Sequence, residues 1–486
     1  MAWLLALLLA TTPLVDAVRR NDAESVRALL ADRVNVDAAE GDGATALHWA
    51  VYGDRGDLVD LLLAAGARAD VANDLSITPL HLAAANGNAA IVSALIARGA
   101  RADAASETGV TPLMEAARSG SGPAVRALIA QGADVNAREH DRNQTPLMWA
   151  AARGQTAVIK ALLEHHADVH ARTRVRPVTV MVDQGPRRAV KTSSTDARQI
   201  DAGGITALLF AAQEGHAEAA SLLIAAGANK NDRAADGNTA LVVAAFAGHP
   251  AVARVLIDAG ADPDASGAGY TALHASVLRS DLATAQALLH SGADPNIPLT
   301  NGSPVRRFGA QWALPRTLAG ATPLAAAAVY LELDIMRALV AAGADVSLAL
   351  ANGTTPLLAA AGADIETNAR PSDLERWNIV NSDQPDVPRA EADVLAATRL
   401  LLEAGANVNH LDEGGNTALH AAAKAGMATV IQLLADRGAT LEMINRDGET
   451  PLSLTLPGAP FPDGRPSPRQ GFKAAEDLLR KLGATR

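Results

Sequence analysis

Three histidines set close together, His165, His166 and His170, are the first residues in this chain of 486 whose type could do chemistry. Imidazole nitrogens at such spacing can hold Zn2+ or Ni2+. No second ligand set accompanies them, so structural roles are the expectation and no metal is predicted. Asp262-Pro263-Asp264-Ala265-Ser266-Gly267 opens like a calcium loop. Such a loop needs a bidentate glutamate six residues after its glycine, and Leu273 stands there instead. The phosphate-cradling G-x-x-x-x-G-K-[ST], H-E-x-x-H and G-x-S-x-G patterns are all missing. With no cysteine there is neither a thiolate ligand nor a disulfide frame. Neither a catalytic constellation nor a cofactor is therefore expected, and the chain does not read as an enzyme.

Four more histidines, His48, His81, His274 and His420, share one context: each lies three residues after a threonine that opens an apolar stretch. The clearest copy runs from Thr78 to Ala104. Thr78 is placed to cap a helix, and Pro79 suits the first helical position, which needs no amide donor. Leu80, Ala83 and Ala84 form one narrow apolar stripe; Ile91, Val92, Leu95 and Ile96 form another. Gly99 can take the left-handed conformation that stops the second helix. Two short alanine-rich helices bury too little surface alone, so copies must stack. The opening recurs at Thr12, Thr45, Thr78, Thr111, Thr145, Thr206, Thr239, Thr271, Thr322, Thr355, Thr417 and Thr450, mostly in steps of 33. Arg33 and His166 stand where the other copies carry the stopping glycine.

A period of 33 with T-P-L-H-x-A resembles the ankyrin repeat, a β-hairpin finger followed by two antiparallel helices. The fold implied is an all-α ankyrin-repeat solenoid of twelve repeats over residues 12–486, on the order of 100 Å long at the usual helix spacing. Polar residues such as Arg19, Arg20 and Glu24 at one end, and Lys473, Glu476 and Arg480 at the other, suit capping repeats. Insertions break the period near 173–203, 299–320, 364–391 and 456–470. In the first, Val178 to Val182 followed by Gln184-Gly185-Pro186 reads as a strand and turn. Loops this long in a compact array are usually functional or disordered. Residues 1–11 begin with a short apolar run, MAWLLALLLA, that reads as a signal-peptide core and implies export to the periplasm or beyond; it is too short to span a bilayer. Thirty-six arginines against six lysines point to a bacterial source.

The resemblance implies a monomeric scaffold that binds a protein through its fingers and inner helices. The residue after the signature histidine position faces the edge of that concave surface. There the large residues gather early, as Trp49, Glu115, Trp149 and Phe210, while later copies carry alanine. The two finger insertions have a basic bias, with Arg187 and Arg188 in the first and Arg306, Arg307, Phe308 and Trp312 in the second. An anionic ligand, such as an envelope polymer or nucleic acid, is the alternative partner. The net charge of −11 weighs against a chain that coats nucleic acid throughout.

The signal-core reading predicts that protein purified from its native host lacks Met1 to about Ala10. N-terminal sequencing checks this, and an intact Met1 on cytosolic material overturns it.

Overall fold

In the computed structural model, residues 12–181, 197–300, 318–362, 390–458 and 471–485 are described. The repeated threonine governs local structure throughout. Thr78 is extended (φ −99°, ψ 163°) and Pro79 begins the helix behind it. At Thr111, Thr145, Thr206, Thr239, Thr322 and Thr355 the hydroxyl accepts from the amide three residues on, at 3.3–3.4 Å. Gly99 ends the second helix with φ +88°. A Cβ added there would meet nothing within 4 Å, so the left-handed backbone is the reason for glycine. Arg33 (φ +55°) and His166 (φ +62°) adopt the same conformation without that freedom.

The helices come in pairs of an inner and an outer member, and the contacts divide the chain into two units: Met1–Arg176 with Ala202–Ala235, and Pro177–Asp201 with Asp236–Arg486. Inner helices of the first unit are α1 (Pro13–Arg19), α3 (Ala46–Tyr52), α5 (Pro79–Asn86), α7 (Pro112–Ser119), α9 (Pro146–Ala152) and α11 (Ala207–Glu214). Its outer helices are α2 (Ala23–Ala31), α4 (Gly56–Ala64), α6 (Ala89–Ala97), α8 (Gly122–Ala130), α10 (Thr156–Glu164) and α12 (Ala217–Ala225). Each inner helix packs on its own outer partner and on the next inner helix; the outer helices pack in series likewise. Leu80, Ala83 and Ala84 are buried, as are Ile91, Val92 and Leu95, while Ile96 is only half-buried. Cutting a fully buried leucine such as Leu80 to alanine would cost about 2 to 5 kcal/mol.

The second unit repeats the plan. Its inner helices are α13 (Ala240–Ala247), α15 (Ala272–Leu278), α17 (Pro323–Tyr330), α19 (Pro356–Ala360), α21 (Ala418–Lys424) and α23 (Pro451–Thr455). Outside them lie α14 (Pro250–Asp258), α16 (Leu282–His290), α18 (Leu333–Ala341), α20 (Glu391–Glu403), α22 (Ala428–Asp436) and α24 (Lys473–Leu482). Strands β1 (Arg176–Met181) and β2 (Ala197–Ala202) pair, so the Val178 to Met181 part of the strand reading holds; Val182 and the turn after it lie outside the described residues. Glu391, which the sequence assigns to the third insertion, is instead the first residue of α20. Its carboxylate accepts from the Thr429 amide and hydroxyl at 2.8 Å, which ties it to the helix neighbour rather than to a solvated loop.

Polar groups stitch one repeat to the next. In the threonine–histidine copies, the Thr45, Thr78, Thr271 and Thr417 amides donate to Nδ1 of His48, His81, His274 and His420 at 3.1–3.3 Å. Nδ1 must then be bare, so the proton sits on Nε2, which donates onward to a carbonyl of the following repeat. Those acceptors are Ile77, Val110, Ala321 and Glu449, at 3.0–3.3 Å. Side chains also cap the preceding inner helix: Asn86 donates to the Val51 carbonyl and Ser119 to that of Ala84. Along the fingers, Asp37, Asn136, Asp264, Asn296 and Asn409 each accept an amide of the next repeat.

Burial lowers the pKa of all four bridging histidines, and that of His274, fully enclosed, falls to about 4. Above the unfolded value of about 6.5 both states are neutral, and the bridge is intact. As pH falls below it, the unfolded chain takes a proton that folded His274 refuses, so stability is lost down to the folded pKa. The expected loss between about pH 6.5 and pH 4 is on the order of 3 kcal/mol from His274. Urea unfolding across that range checks this, since His274→Asn should remove a comparable part of the acid sensitivity.

Candidate functional site

The residue that follows the signature histidine position marks the accessible edge of the inner helices. In the first unit its side chain is half-buried on five successive inner helices: Trp49, Leu82, Glu115, Trp149 and Phe210. In the second unit Val243 is half-buried, but Ala275, Ala326, Ala359, Ala421 and Leu454 are all buried. The same register therefore presents large groups on one unit and is mostly closed, over four alanines and Leu454, on the other. Helices α3, α5, α7, α9 and α11 pack in sequence, so this row is continuous at the level of the elements.

The two tryptophans of the row differ in their surroundings. Trp49 is enclosed by its own repeat and the one before it. Its Nε1–H donates to the Glu40 carboxylate at 2.7 Å, and that carboxylate also accepts from Arg19 at 2.8 Å. The Arg19 guanidinium lies 3.9 Å from the Trp49 ring centroid, and Tyr52 meets the ring edge-on at 5.8 Å. Trp49 thus works as an intramolecular clasp, with one ring face already covered.

Trp149 has no such clasp. Its Nε1 is buried and makes no hydrogen bond. The finger explains this. Glu40 and Glu139 occupy the same place in the hairpin, since each donates its amide to the carbonyl just before the repeat's threonine. The finger before Thr145 is one residue longer, and its extra turn takes the carboxylate. Glu139, itself buried, accepts from the amides of Asp141, Arg142 and Gln144 at 2.7–2.9 Å. A buried donor left without an acceptor costs about 1 to 3 kcal/mol. Glu115 is held by Arg118, with a 2.9 Å bond from Nε. Phe210 lies half-buried on α11, beside α9.

The remaining sequence-predicted site residues, Arg187, Arg188, Arg306, Arg307, Phe308 and Trp312, lie outside the described residues. His165, His166 and His170 end α10 and open its finger: His166 carries the left-handed φ, and the His170 amide donates to Asp168 at 2.9 Å. Asp262 accepts the Asp264 amide, which is turn chemistry, and Asp264 accepts the Asp294 amide of the next finger. Among the described residues no group of three or more His, Asp or Glu side chains is placed to hold a metal ion. No helix among them is long and apolar enough to cross a membrane. The inter-repeat role of the histidines and of the finger Asp and Asn ladder was not read from the sequence; the recurrence of Asp or Asn at one register was the available signal.

Comparison with known proteins accords with this geometry. A family model described as ankyrin repeats in three copies matches residues 5–74, 52–139, 80–173, 179–267 and 208–298, and one described as ankyrin repeats in many copies matches 401–454. The chain belongs to the ankyrin-repeat family. It is 32% identical over 152 residues to neurogenic locus notch homolog protein 1 of Xenopus tropicalis, which is 30% of this chain and 6% of that protein. With the Mus musculus protein of the same name it shares 33% identity over 141 residues, 28% of this chain and again 6% of the relative. The match thus spans a small fraction of those relatives' length. The ankyrin repeat domain of human ASB11 aligns over 52% of this chain and 100% of its own, with 26% identity and a TM-score of 0.42. Ankyrin repeats are in general protein–protein interaction modules rather than enzymes.

The contrast between the two tryptophans gives a direct test. Trp49→Phe deletes the donor to Glu40 and should cost about 1 kcal/mol of stability. Trp149→Phe deletes a donor that bonds to nothing and should cost less or stabilise. Thermal melts of the two variants side by side decide it.

Proposed function

We propose that this protein is a scaffold that binds a protein partner along the inner-helix row of its first unit, with Trp149 and Phe210 as the energetic centre. The observation that carries this reading is the Trp149 donor. A tryptophan kept only to fill space would be expected to have its N–H matched, as Trp49 has through Glu40. Trp149 instead keeps a large, half-buried ring whose enclosed N–H is unmatched, on the packed helix pair α9 and α11. Binding energy concentrates in such aromatic anchors. Glu115, one helix earlier, adds a charged neighbour to the row, while Trp49 at its start is committed to Arg19 and Glu40. The family role of ankyrin repeats in protein association supports the same class of function.

A pull-down from the native host supplies the partner, and titration calorimetry then measures its affinity. Trp149→Ala should weaken binding by about 2 to 4 kcal/mol while the melting midpoint barely moves. A core tryptophan would instead lose about 3 to 5 kcal/mol of folding stability. Unchanged affinity, or affinity lost only together with folding, overturns the proposal.

A further inference from the structure

Between the fourth and sixth repeats, three successive fingers of the first unit are bound edge to edge. The Arg174 amide donates to the Arg142 carbonyl at 2.8 Å, and the Ala235 amide donates to the Gly203 carbonyl at 3.0 Å. Arg138 reaches the Arg172 carbonyl at 3.3 Å, and Arg172 in turn grips the carbonyls of Gly204 (3.0 Å) and Arg233 (2.8 Å). These bonds hold six guanidinium groups along one edge: Arg138, Arg142, Arg172, Arg174, Arg176 and Arg233. All but the half-buried Arg172 are exposed.

Three carboxylates answer them. Asp168 lies 4.0 Å from Arg138, Asp232 lies 2.8 Å from Arg172, and Asp141 is shared at 3.5 Å between Arg142 and Arg176. Arg174 and Arg233 form no ion pair among the described residues. Segments 134–142, 168–176 and 229–236 hold seven Lys and Arg against six Asp and Glu, so the available positive charge is local to Arg174 and Arg233, in a protein whose net charge is −11. Val175, between Arg174 and Arg176, is 52% exposed and adds an apolar contact to the cationic row.

We propose that this finger edge binds an extended acidic segment of a protein. Neighbouring repeats are about 10 Å apart, and an extended chain advances about 3.3 Å per residue. A segment with an acidic residue at every third position would meet one finger per carboxylate, and an apolar side chain between them would cover Val175. Nucleic acid fits less well. No Phe, Tyr or Trp occurs in 134–142, 168–176 or 229–236, so the edge has no aromatic platform on which bases could stack. The overall negative charge would also repel a polyanion beyond the edge itself.

The test uses the full chain and a fluorescein-labelled twelve-residue peptide with Glu at every third position and Leu between, read by anisotropy. Binding should weaken at least tenfold when salt rises from about 50 to about 200 mM, because exposed charges are screened. Arg174→Glu with Arg233→Glu should weaken it by at least a further tenfold, and a Lys-for-Glu peptide should bind this double variant better than the original protein. Both side chains are exposed, and an unchanged melting midpoint confirms that the variant is folded. Trp149→Ala should leave peptide binding intact, which separates this site from the inner-helix row. Absence of peptide binding, equal binding by the double variant, or tighter binding of a single-stranded oligonucleotide overturns the proposal.

Discussion

At four of the repeat junctions a neutral imidazole joins one repeat to the next, and the constraint it answers, that buried backbone groups at each boundary must be paired, holds for the whole stack. Each of the four histidines accepts the amide of its own threonine and donates to a carbonyl of the following repeat. One ring therefore satisfies two backbone groups that burial would otherwise leave stranded, one on either side of a repeat boundary. It can do so only while uncharged, because a second ring proton would face the threonine amide. The insertion between Thr271 and Thr322 does not disturb this: His274 still finds the Ala321 carbonyl just ahead of the next threonine.

The same logic runs through the other contacts between repeats. Asn86 and Ser119 satisfy the carbonyl ends of the inner helices before them, and the finger Asp and Asn side chains accept amides from the fingers after them. At these junctions a helix pair's hydrogen bonding is completed by its neighbour. Stacking is enforced by polar completion as well as by hydrophobic area.

Against this regularity, the departures mark where a partner can be held. A single added residue before Thr145 turns Glu139 inward onto its own loop and leaves Trp149 without the acceptor that Trp49 enjoys. In the next fingers Arg172 is fixed by backbone carbonyls as well as by Asp232, while Arg174 and Arg233 form no ion pair among the described residues, so their charge stays available. Both features occur in the first unit, around the junction of the fourth, fifth and sixth repeats.

Most of the fold was legible in the sequence because the repeat encodes it locally. The threonine cap, the proline at the first helical position, the apolar stripes and the glycine that must take positive φ are all short-range constraints, and twelve copies in phase disclose them. The left-handed backbone at Arg33 and His166 followed from register alone. What the sequence could not determine was pairing across repeats. It placed Trp49 and Trp149 at one register without their partners: Arg19 and Glu40 enclose one, while the acceptor of the other is diverted. It placed Glu391 at the end of the third insertion, whereas the structure makes it the first residue of α20, with its carboxylate accepting from Thr429. The physical reason is common to these cases. Local periodicity fixes which face a side chain occupies, but its hydrogen-bonding partner belongs to a neighbouring repeat and depends on loop length to within one residue.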